Sequence, residues 1–142
     1  MGLFSTSRRD RTNSQIVAEL RSLKKRLKAI PIQAEFEQAV VFGTPITDAL
    51  PLIASARRSV RASRTRILDL KPSSPAGHKA QELSAESLWN YDQAFKKLSL
   101  ACTQNDDPLA MRDSLERQSA FTKAADAKGR AAAKVLKIEW PV

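Results

Sequence analysis

The 142-residue sequence predicts an all-α protein, a helical bundle of about four main helices plus one short helix, with no sheet. Three observations carry that expectation. Only four glycines occur, too few for the tight turns that a sandwich or barrel needs. Apolar residues recur at spacings of three and four along several segments. Between those segments fall Pro, Gly, Ser, Asn and Asp, the residues that start and stop helices. With 42% hydrophobic residues the chain can bury a core as one domain over residues 13–142, preceded by a flexible basic arm over residues 1–12.

The first helix is expected to start at Asn13 or Ser14, either of which can cap it, with Ile16, Leu20, Leu23, Leu27 and Ile30 as its apolar stripe. Its other face carries Arg21, Lys24, Lys25 and Lys28, with Glu19 the only acid, so it is a basic amphipath that Pro31 ends or kinks. Ile32 to Phe42 reads as the short helix, with Glu35 and Glu37 near its positive end and Gly43 closing it through a positive φ. Thr44-Pro45 then opens a long helix to about Leu70, kinked by Pro51. A 3.6-residue period places Ala56 and Ser63 in its core between Ile53, Val60 and Ile67, and puts its arginines at the margin.

Lys71 to Gly77 is the clearest break, and the third long helix runs from Pro75 or Gly77 to Thr103. It presents Leu88, Tyr91, Phe95, Leu98 and Cys102, with Leu83 and Trp89 adjoining. Asn105 to Pro108 supplies the next turn and cap, and the fourth long helix extends to about Lys137 with an alanine-rich face that permits close approach. The expected core is Leu20, Leu23, Leu27, Phe36, Ile53, Val60, Ile67, Leu88, Tyr91, Phe95, Leu98, Leu115 and Phe121. Trp140, in the apolar ending Ile138 to Val142, is expected to dock on this chain or on another.

The chemistry available is narrow. One cysteine, Cys102, rules out an internal disulfide framework and any zinc site built from paired thiolates. One histidine, His78, in a Pro/Ser/Gly-rich segment, would have to serve any catalytic relay. No Gly-rich phosphate-cradling motif occurs. Carboxylate pairs such as Asp106-Asp107 and Glu82-Glu86 fit helix starts and solvated faces better than acid-base chemistry. The expectation is therefore a protein that is not an enzyme, with no catalytic residue, metal, cofactor or small-molecule substrate. The N-terminus lacks the apolar stretch and cleavage site of a secretory signal, and the apolar window from Gln38 to Ala56 is broken by Gly43, Pro45, Asp48 and Pro51. Together with a single thiol, this favours a cytoplasmic or otherwise intracellular location.

Charge is the strongest pointer to function. The net charge is +9, yet residues 1–72 hold 14 Lys+Arg against 6 Asp+Glu while residues 73–142 hold 10 against 9. The excess falls in clusters around Arg8-Arg9-Arg11, Arg21 to Lys28 and Arg57 to Arg66. Candidate residues for an anionic partner are Arg8, Arg9, Arg21, Lys24, Lys25, Lys28, Arg57, Arg58, Arg61 and Arg64. Leu3, Phe4 and Trp140 are candidate docking residues.

Three readings follow. The favoured one is a structural or adaptor protein, a component of a multi-subunit assembly or a homo-oligomer, whose basic first half and apolar stripes dock on an acidic protein. The alternative is a sequence-independent nucleic-acid-binding protein, whose affinity would fall steeply with salt. Sequence-specific readout is disfavoured because no helix-turn-helix, zinc-finger or bZIP pattern occurs. The third is a membrane-surface protein, since Met1-Gly2-Leu3-Phe4-Ser5-Thr6 fits a loose acylation pattern and Arg8-Arg9 could add the second anchoring signal.

Overall fold

Proline and glycine set most of the helix boundaries. A computed structural model describes residues 10–142, and among them it holds five α-helices, one 3-10 turn and no strand. The elements are α1 (Thr12–Lys28), α2 (Ile32–Phe42), the 3-10 turn Ile46–Ala49, α3 (Leu50–Leu68), α4 (Pro75–Cys102) and α5 (Pro108–Leu136). The fold is the expected bundle of four main helices and one short one. No helix among the described residues is long and apolar enough to cross a membrane.

Pro75 and Pro108 each sit in a first helical turn, where a missing N–H removes nothing. Ser74 and Asp107 cap those helices, accepting hydrogen bonds from the Gly77 and Ala110 amides. Gly43 ends α2 at φ 67°, the left-handed conformation that favours glycine. Two boundaries differ from expectation. α1 begins at Thr12, and its first amide bonds to Asp10 Oδ1 at 2.9 Å, so Asp10 does the capping expected of Asn13 or Ser14. The stretch after Pro45 is a 3-10 turn, and α3 starts only at Leu50, so Pro51 lies in a first turn and kinks nothing.

The α4–α5 hairpin forms the body of the molecule, α3 packs along α4, and α1 lies across both α3 and α4. Small residues make the hairpin seam: Ser84, Ser87 and Ala101 on α4, and Ser114, Ala125, Gly129, Ala132 and Ala133 on α5, are buried. Small side chains let the two backbones approach closely, and Ser87 donates across the seam to the Ala125 carbonyl at 2.7 Å. The main core gathers Ile16, Leu20 and Leu23 of α1 with Val60, Ile67, Leu88 and Leu136. A second cluster, Ala49, Ile53 and Cys102, closes the other end, with Ile32, Phe36, Phe95 and Leu98 packed against it.

Ala56 and Ser63 are fully buried on α3, as the 3.6 period requires. Of the expected core, Leu27, Phe36, Tyr91, Phe95, Leu98 and Phe121 are half-buried. Leu115 is a correction: it is 41% exposed, because the register of α5 turns its neighbour Ser114 into the seam instead. α2 buries no residue and leaves Val40, Val41 and Phe42 in solvent. It rests on the 3-10 turn that follows it.

Candidate anion-binding face

The arginines of α3 are largely occupied within the fold. Arg57 reaches Asp92 of α4 with Nε–Oδ1 2.9 Å, and Arg61 reaches the other oxygen of the same carboxylate at 3.3 Å. Asp92 is buried, so both guanidiniums neutralise a charge that would be costly alone. Arg64 Nε donates to the Ala85 carbonyl at 3.2 Å. Arg66 shares Glu19 of α1 with Arg26, at 3.4 and 3.3 Å, and Ser63 Oγ donates to the same carboxylate at 2.7 Å. These contacts tie α3 to α4 on one flank and to α1 on the other. Arg58 is exposed and enters no ion pair among the described residues.

α1 is different. Arg21, Lys24, Lys25 and Lys28 are all exposed, and no carboxylate among the described residues lies within ion-pair distance of any of them. Their spacing of three, four and seven residues makes one stripe about 10 Å long at 1.5 Å per residue. Lys25 and Lys28 stand in the last turn, where the helix dipole favours cations, but Arg21 and Lys24 gain little from it. Like charges three and four apart repel by a few tenths of a kcal/mol per pair, about 1–2 kcal/mol for the stripe. An anion on this face would relieve that repulsion. Beside the stripe, Ala18, Glu19 and Ser22 of α1, Arg66 and Ile67 of α3, and Leu70 just beyond it line a shallow groove of about 420 Å³.

The other singled-out positions are scattered. Leu3, Phe4, Arg8 and Arg9 lie outside the described residues. Trp140 folds back on its own chain, half-buried, with its indole over Gly129, where a Cβ would run into the ring. The ring lies beside the Tyr91 hydroxyl, and that hydroxyl donates to Asp126 Oδ1 at 2.8 Å. Burial pushes the Tyr91 phenol well above its ordinary range, and the bond to Asp126 raises it further. His78 is exposed in the first turn of α4 and Cys102 is buried in its last, 24 residues on, so about 36 Å of helix separates them and no relay can join them. Among the described residues no three His, Cys, Asp or Glu side chains gather as a metal would require.

Sequence reasoning missed two carboxylates. Asp92 had a readable signal, since it lies four residues after Leu88 and three before Phe95, on the core stripe. Asp10 had none beyond its place two residues before Thr12. Its carboxylate accepts from the Thr12 amide and hydroxyl, the Ser73 and Ser74 amides and the Ser74 hydroxyl, pinning the start of α1 to the α3–α4 loop. Partial burial works against its charge, but these bonds outweigh it and hold the carboxyl well below the usual range.

No family model, curated protein or solved structure matches the chain.

Proposed function

We propose that the protein is a non-enzymatic structural or adaptor component that docks the basic face of α1 on an acidic protein surface. The observation that carries this reading is the contrast between the two basic helices: α3 uses four of its five arginines to hold the bundle together, whereas α1 leaves four cations without an ion-pair partner among the described residues. Loss of the α3 arginines to internal pairs also shrinks the surface open to a nucleic-acid backbone. α1 itself carries no aromatic residue, and exposed Trp89 of α4 lies beside Arg64, so the stripe has no base-stacking ring of its own.

The test is retention on immobilised poly-glutamate and on duplex DNA across a salt series. Wild type is expected to bind poly-glutamate at low salt and to lose about tenfold in affinity when Lys24, Lys25 and Lys28 are all changed to Glu. Reversal of exposed Lys123 on α5 serves as the control. Equal loss in the control, or no loss in the α1 variant, would overturn the reading. Tighter, steeply salt-dependent binding to DNA would favour the nucleic-acid alternative.

A further inference from the structure

The acidic partner of α1 has a candidate within the same sequence. We propose that α2 of a second copy docks on the basic face of α1, so that the chain self-associates through α1–α2 contacts. The inference rests on the docking reading above and names its partner.

Charge complementarity carries it. Residues 31–49, from Pro31 through α2 and the 3-10 turn, contain Glu35, Glu37 and Asp48 and no Lys or Arg. None of those three carboxylates enters an ion pair among the described residues. The chain thus displays one acidic helix and one basic helix, each unneutralised. They follow each other in sequence, yet Pro31 breaks the chain between them and α2 rests on the 3-10 turn, so the pairing is not made within a copy.

Apolar surface points the same way. Val40, Val41 and Phe42 are 86%, 70% and 76% exposed, a cluster that a lone copy leaves in water. Glu37, Val40 and Val41, at spacings of three and four, share one side of α2 and make the docking face, whereas Glu35, two residues before Glu37, points to another side. On α1 the basic stripe borders the groove where Ala18 and Leu70 flank the Glu19–Arg66 pair, so charge and apolar surface lie side by side there too. At 1.5 Å per residue, the eleven residues of α2 span about 16 Å, enough to cover the stripe of about 10 Å from end to end.

The experiment is sedimentation equilibrium of the whole chain over a wide concentration range. Wild type is expected to show a mass rising to two or more copies. An α1 variant (Lys24→Glu, Lys25→Glu, Lys28→Glu) and an α2 variant (Glu37→Lys) should each associate at least about tenfold more weakly alone and recover when mixed in equal amounts. All are exposed positions, and retained helical circular dichroism would verify that each variant folds. Phe42→Ser should weaken association without altering charge. A monomer at every concentration, association that survives both reversals, or failure of the mixture to recover would overturn the inference. If wild type is monomeric yet binds poly-glutamate through α1, the inference fails and the docking reading stands. If the α1 variant binds poly-glutamate as well as wild type, the docking reading itself fails.

Discussion

Asp92 shows how much one carboxylate can organise. It sits on the core stripe of α4, and two arginines from consecutive turns of α3 converge on it. Replacing Asp92 with Ala would leave Arg57, three-quarters buried, without its counter-charge. The expected loss is about 3 kcal/mol, the low end for breaking a buried pair because Arg61 is well exposed, and urea denaturation would measure it. Asp10 acts where the start of α1 meets the α3–α4 loop and makes stability depend on pH. Its folded carboxyl titrates below its unfolded value near 3.9, so the unfolded chain takes up the proton first as pH falls. The contribution is complete above about pH 5 and is lost as pH drops toward the folded value. Asp10→Asn should therefore be less stable than wild type at pH 7, with the difference shrinking below about pH 4. Gly77→Ala should act in the same direction, because its Cβ would strike the Asp10 carboxylate and free the start of α1. Unchanged stability of both variants at neutral pH would refute the clamp.

Helix limits were legible wherever a residue has a backbone reason to be there. Pro31, Gly43, Pro75 and Pro108 place their boundaries at or within a residue of expectation, because each restricts or frees φ locally. Pro51 misled because a first-turn proline and a kinking proline look alike in sequence, and only the 3-10 turn before it separates them. Leu115 misled through size: in an interface built from Ser, Ala and Gly, the large residue turns outward. The site was legible only as charge, since which arginines are spent depends on contacts 21 to 47 residues apart in sequence. Gly129 on α5 is a further case. Mid-helix glycine is worse than alanine by about 1 kcal/mol, yet here it leaves room for the Trp140 indole. Gly129→Ala is expected to destabilise the wild-type chain and to stabilise a Trp140→Ala chain by about 1 kcal/mol. A stabilising effect in both backgrounds, read from thermal melts, would show that the notch is not needed.

Across the whole molecule, stability is distributed unevenly from end to end. The α4–α5 hairpin buries the long small-residue seam, whereas α2 buries nothing and is held by Ile32 and Phe36 on the cluster beneath it. Native-state hydrogen exchange should therefore find the α2 amides opening most easily and those of the α4–α5 seam closest to global unfolding. Protection of α2 equal to the seam in a monomeric sample would contradict that gradient. The same cluster contains Cys102, buried to 1% exposure at the last turn of α4, and burial pushes its thiol pKa up. A disulfide reagent attacks the thiolate, so it meets almost nothing reactive while that end stays shut. The chain thus carries its own clock: the labelling rate of Cys102 times how often the α2 end breathes, and any partner that clasps α2 should slow it.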